Sequence, residues 1–203
     1  MQSIDRRGFI AGLAVLPALR PEIAAAQAQA HGIVAESGKR GAWPLVVGLL
    51  ATSTPDAHEF NIGLMRRRHG YPRMLRYMSS DRNKVDFASA VIDYAAASTD
   101  LKFTALVVDD ADGKWRAMRR GREAAYASIY RQLLTAAGGN GMAIQRASTK
   151  DPRTSNLMQL AGFLCGCVYG DATGVPNALK RGLADRLHRQ VDPARFSAKT
   201  VSI

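Results

Sequence analysis

The sequence predicts an α/β domain, a mixed β-sheet flanked by α-helices, and three observations carry that prediction. Two runs rich in branched apolar residues, 43–53 and 101–109, have the unbroken hydrophobicity of strands covered on both faces. Other stretches place their apolar residues at helical spacing, as Val85, Ala88, Val91, Ile92 and Ala95 do. The two kinds of segment alternate after an opening pair of strands, which is the order of hairpin and crossover units.

The chain has 203 residues, and its first thirty read as an export signal. Residues 1–7 are short and charged, residues 8–19 are apolar, and residues 20–30 are small and polar. Twelve apolar residues are too few to cross a bilayer, which takes about 20. Ala26-Gln27-Ala28 and Ala28-Gln29-Ala30 both fit a small-x-small cleavage site. Arg6-Arg7 before Gly8-Phe9-Ile10 looks like the twin-arginine pattern, with Asp5 in place of the usual Ser or Thr. The expected location is periplasmic or secreted, reached already folded. No later stretch holds 18 apolar residues, so no membrane span is expected.

Beyond the signal the elements follow in order. Residues 31–37 read as a first strand, Gly38-Lys39-Arg40-Gly41 as a turn, and 43–53 as the second strand of a hairpin. A short helix within 55–70 stops at Gly70. Residues 72–79 read as a strand or an irregular connection. A helix follows over 82–97, with Ser80-Asp81 as a possible N-cap. Residues 101–109 form the clearest strand and run into the acidic turn Asp109-Asp110-Ala111-Asp112-Gly113. The longest helix spans 114–137, 142–148 is a strand, 155–169 is a nearly all-apolar buried helix, and 177–190 is amphipathic on Leu179, Leu183 and Leu187. One domain therefore covers 31–192, and residues 193–203 read as a disordered tail.

Composition is that of an ordinary globular chain, 47% hydrophobic and 22% charged, which excludes intrinsic disorder as the ground state. Net charge is +11, nearly all of it outside the signal. Such charge is either a solvated basic face or a footprint for a polyanion such as nucleic acid, anionic lipid or an acidic polymer. The candidate contacts are Arg66, Arg67, Arg68, Arg73, Arg76, Arg119 and Arg120. Tyr71, Tyr77 and Trp115 interleave with or border these clusters, as phosphate contact with base stacking would use them. Solvation of helix ends accounts for the same arginines.

Four short stretches, in order, resemble a known family: Glu36-Ser37-Gly38, Leu75-Arg76-Tyr77, Val107-Val108-Asp109 and Gln159-Leu160-Ala161. Together they are similar to the bacterial family called domain of unknown function 3800, over about residues 31–190. The resemblance implies a ribonuclease H-like fold, whose chemistry uses three or four carboxylates to hold one or two divalent cations. In the family pattern an Asp precedes Glu-Ser-Gly, a Glu precedes the Leu-basic-aromatic motif, and an Asp follows Gln-Leu-Ala. Here those places hold Ala35, Met74 and Gly162, and only Asp109 survives. Neutral side chains cannot hold a hard cation, so the expectation is a retained fold with impaired catalysis and no cofactor.

The competing expectation is an active hydrolase built on Asp109, Asp110, Asp112 and Glu36, which would need magnesium or manganese. A third is a structural or protein-binding module of the cell envelope. Asp110-Ala111-Asp112-Gly113 has the start of a calcium loop, but the twelfth place is Gly121 rather than an acid. His58, Glu59 and Asp171 are further ligands only if the fold gathers them. Cys165 and Cys167 point about 200° apart on a helix, which opposes a disulfide between them. They read as buried thiols, with a soft-metal or redox pair as the alternative. The chain has no Walker loop, dinucleotide fingerprint or serine nucleophile elbow.

Overall fold

The computed structural model describes residues 29–38, 44–77, 82–110, 122–139, 143–148, 151, 153–174 and 177–202. The signal-like segment up to residue 28, the second half of the acidic turn with Asp112, and Arg119 and Arg120 lie outside the described residues.

Five strands form one sheet in the order β4-β1-β2-β3-β5. They are β1 (Gln29–Ser37), β2 (Leu45–Thr52), β3 (Lys102–Asp109), β4 (Ala143–Ser148) and β5 (Phe196–Ser202). β1, β2 and β3 are antiparallel neighbours, whereas β4 runs parallel to β1 and β5 parallel to β3. Four strands therefore point one way and β2 alone points back. The helices are α1 (Pro55–Arg68), α2 (Arg82–Ala97), α3 (Arg122–Gly139), α4 (Asn156–Thr173) and α5 (Ala178–Gln190). The α/β architecture, a mixed sheet between helices, is as the sequence predicts.

Side-chain alternation divides the core into two layers. Val34, Val47, Leu49, Leu106 and Val108 face α3, where Ile129, Tyr130 and Leu133 cover them. Ile33, Ala35, Val46, Leu50, Phe103, Ala105 and Val107 face a larger layer built on α4, with residues of α1, α2 and α5 around it. α4 is apolar on nearly every side, and it lies across β1, β2 and β3. Gly48 in mid-β2 permits that approach, because a Cβ there would sit 2.5 Å from the Cys165 Sγ and 2.7 Å from Phe103.

The helix ends follow their caps. Ser155 accepts the Met158 N–H at 3.1 Å to open α4, and Gly174 closes it at φ 61°. Asn177 accepts the Leu179 and Lys180 N–H groups to open α5. Pro55 sits in the first turn of α1, and Arg66 to Arg68 end it, where cations offset the helix dipole.

The structure corrects one expectation. Residues 193–203 are not a disordered tail, since Phe196 to Ser202 pair with β3 over seven positions. An edge strand with few apolar residues gives little local signal, and pairing with its neighbour decides it. Of the two readings open for residues 72–79, the described part, 72–77, takes the irregular one.

Candidate functional site

Of the carboxylates proposed as a cation site, Asp112 lies outside the described residues, and Glu36 and Asp109 do not converge. Glu36 belongs to the face of Val34 and lies under α3, where its carboxylate accepts the Tyr130 hydroxyl at 2.6 Å. Asp109 ends β3 on the face of Val107, the opposite side of the sheet, and is exposed. The register aligns Glu36 with Val47 and Val47 with Leu106, so Asp109 stands three residues farther along and two strands away. Strand spacing and rise then separate the two α-carbons by about 14 Å, too far for one metal ion. Asp110 is buried directly after β3. Among the described residues no three His, Cys, Asp or Glu side chains gather as a metal cluster.

The three positions where the resemblance would put acids, Ala35, Met74 and Gly162, lie around α4. The Ala35 carbonyl accepts a contact from the Cys165 thiol at 3.4 Å. Met74 precedes Leu75, whose N–H donates to Gln159 Oε1 at 2.8 Å. Gly162 follows Gln159 by three residues, and nothing lies within 4 Å of where its Cβ would stand. Two of the four resemblance motifs thus touch each other through the Gln159 amide.

That amide also fixes Arg66. The Arg66 guanidinium donates to Gln159 Oε1 at 2.7 Å, to Asn156 Oδ1 at 3.3 Å, and to the carbonyls of Tyr71 and Arg73. It also lies over the rings of Tyr71 and Phe87. Burial pulls its pKa below the ordinary arginine value, with the Tyr71 charge acting the other way. Arg66 is therefore a clamp that holds residues 71–76 against α4, and it leaves the set of polyanion contacts. Tyr71 and Tyr77 are buried and leave the stacking set as well.

What remains is a basic surface around the clamp. Arg67, Arg68, Arg73 and Arg76 are all exposed, within ten residues of chain. Arg67, Arg68 and Arg73 have no carboxylate partner among the described residues, although ion pairs form elsewhere, as at Arg186 and Asp93. Arg66 holds the loop, and so presents Arg73 and Arg76 on the same side of the fold as the end of α1.

A second polar cluster escaped the sequence reading. His58 is buried, and its Nε2 lies 2.8 Å from Asp100 Oδ1 while its Nδ1 lies 2.5 Å from the Tyr94 hydroxyl. The Asn61 amide donates to that hydroxyl at 3.1 Å. One neutral tautomer satisfies the chain: Asn61 donates to Tyr94, Tyr94 to His58 Nδ1, and His58 Nε2–H to Asp100. Hydroxyls of Thr52, Ser53 and Thr54 donate to Asp100 Oδ2. Burial pushes the Asp100 pKa up, but the hydrogen bonds from Thr54, Thr52 and His58 outweigh it and hold the carboxyl at about 2. Both His58 ring nitrogens, the Tyr94 hydroxyl and both Asp100 oxygens have partners inside the cluster, so it works as a latch joining β2 and α1 to the turn before β3.

The remaining sequence candidates also resolve into structure. Glu59 accepts the Ser155 hydroxyl and the Asn156 N–H at the start of α4, and Asp171 pairs with His188, so His58, Glu59 and Asp171 do not meet. Cys165 and Cys167 are free and buried, and burial raises both thiols far above their ordinary pKa. Comparison of the chain with known protein families, with curated proteins and with solved structures finds no match.

Proposed function

We propose that this chain is an exported domain of ribonuclease H-like descent that has lost metal-dependent cleavage and binds a polyanion through arginines at the end of α1 and in the segment after it. The observation that carries the reading is the separation of Glu36 and Asp109 onto opposite faces of the sheet. Cation-assisted hydrolysis needs carboxylates converging on one ion, and Glu36 and Asp109 of the candidate set diverge. The three substituted places, Ala35, Met74 and Gly162, supply no charge to replace them.

The exposed guanidiniums of Arg67, Arg68 and Arg73 support the binding half of the reading. Among the described residues no acid pairs with them, and Arg66 fixes the segment that presents Arg73. An unpaired cluster of this kind gains energy from phosphate or sulfate groups by releasing counterions, which makes its affinity fall steeply with salt.

Two measurements test the two halves. Melting followed against magnesium, manganese and calcium should show no shift, whereas a true site at a hundred times its dissociation constant adds about 2.7 kcal/mol. A shift accompanied by phosphodiester turnover would refute the loss of catalysis. Retention on immobilised heparin should drop sharply as salt rises and should weaken on charge reversal at Arg67 and Arg68. Retention indifferent to salt removes the polyanion.

A further inference from the structure

The same basic surface carries an apolar strip that points to its occupant. Phe60 is 64% exposed, and among the described residues it is the one exposed Phe, Trp or Tyr. On α1 it sits within about 20° of Arg67 and roughly 10 Å from it along the axis. Ala57, exposed, lies one turn before Phe60, and Leu64, half-buried, one turn after it. Ala57, Phe60 and Leu64 follow the i, i+3, i+7 spacing of a single helix face. The Arg67 guanidinium folds back along this face, with Nη1 4.0 Å from where a Cβ on Gly63 would stand. Arg68 flanks the strip, and Asp56, the one acid on this face, lies at the far amino end.

We infer that this face docks on an anionic phospholipid surface, with Phe60 entering the boundary between headgroups and acyl chains and Arg67, Arg68 and Arg73 meeting lipid phosphates. The inference rests on the polyanion reading and names its ligand class. Three features favour lipid over a nucleic-acid strand. A strand gains from successive stacking platforms, but Tyr71 and Tyr77 are buried and Phe60 is left alone. An aliphatic neighbour on each side suits insertion in a lipid boundary better than stacking. Clustered arginines beside the strip supply the electrostatic half of such binding, worth about fivefold in affinity for each residue near the surface.

The test uses the full chain with vesicles of phosphatidylcholine, with and without phosphatidylglycerol, read by co-sedimentation. Binding is expected only with phosphatidylglycerol present, and it should weaken with salt. Phe60→Ser should lose about tenfold in vesicle affinity, keep its melting temperature, and keep its retention on heparin. Arg67→Glu with Arg68→Glu should lose both vesicles and heparin. A Phe60→Trp variant should shift its emission to the blue on adding phosphatidylglycerol vesicles and be quenched by brominated chains.

Retention on heparin without vesicle binding would overturn the lipid inference and leave the polyanion reading standing. Loss of single-stranded oligonucleotide affinity in Phe60→Ser, with vesicle affinity unchanged, would overturn it in favour of a stacked strand. Equal binding to uncharged vesicles would remove the role of the arginines. Failure on both heparin and vesicles would end both readings together.

Discussion

Three glycines on α4 should respond to the same substitution with opposite signs. Gly162, Gly166 and Gly170 are spaced by four, so they form one stripe along the helix, and Tyr77 lies over its second half. A Cβ on Gly166 would stand 2.4 Å from the Tyr77 Cβ and 3.0 Å from its Cγ, where carbons prefer about 3.5–4.0 Å. The Tyr77 Cβ is tied to the backbone, and that backbone is pinned by Leu75 N–H on Gln159 and by the Tyr77 hydroxyl on the Lys180 carbonyl. Relief therefore requires moving the whole segment. Overpacking of this kind costs about 1–3 kcal/mol, and replacing Gly with Ala inside a helix returns about 1 kcal/mol. Gly166→Ala should thus lose up to about 2 kcal/mol, a melting point lower by roughly 4–8 °C for a chain of this size. Gly162→Ala meets nothing within 4 Å and should gain close to 1 kcal/mol, or roughly 2–4 °C. Thermal and urea unfolding by circular dichroism read both. A double variant with Tyr77→Gly, which removes the opposing Cβ, should erase the clash at position 166. If Gly166→Ala stabilises as much as Gly162→Ala, Tyr77 does not lie across this helix and the packing argument fails.

Three further outcomes follow from the polar clusters and the last strand. The Asp100 carboxyl titrates near 2 against 3.8 for the free group, so its contribution is full above about pH 4 and is lost as pH falls toward 2. Its side chain is 31% exposed, so solvent screening trims the effect to about 1–2 kcal/mol, and Asp100→Asn should flatten the acid limb of the stability curve in that window. Gln159→Leu strands the buried Leu75 N–H and removes one of the four acceptors of Arg66, which should cost about 2–4 kcal/mol and expose Arg73 and Arg76 to trypsin at temperatures where the parent resists. Phe196→Ala empties a buried position against Phe103 and should cost about 3 kcal/mol by urea unfolding, whereas a tail without structure would give no change.

Much of the architecture was legible because burial on both faces writes itself into a strand. β2 and β3 are unbroken apolar runs, and they occupy the middle of the sheet. β5 was not legible, because FSAKTVS at a sheet edge needs only Phe196 and Val201 to face inward. The arginine cluster was legible as charge, yet its division was hidden: whether a guanidinium points at solvent or at an amide 93 residues away is a tertiary fact. His58 left one unread signal. It precedes the buried Ile62 by one turn, so helical spacing placed it on the inner face of α1, where an imidazole needs partners. Nothing local named Asp100, which lies 42 residues on. The separation of Glu36 from Asp109 was hidden for a simpler reason: residue order along two strands does not reveal how their registers align, and so which side of the sheet each acid faces.

The position of β5 bears on how the molecule is made. Residues 196–202 emerge from the ribosome after every other strand, yet their partner, β3, is synthesised nearly a hundred residues earlier. Until they arrive, β3 presents an unpaired row of amides and carbonyls, an adhesive edge that invites neighbouring chains. The nascent protein thus has an interval of vulnerability that closes only when residues 196–202 arrive.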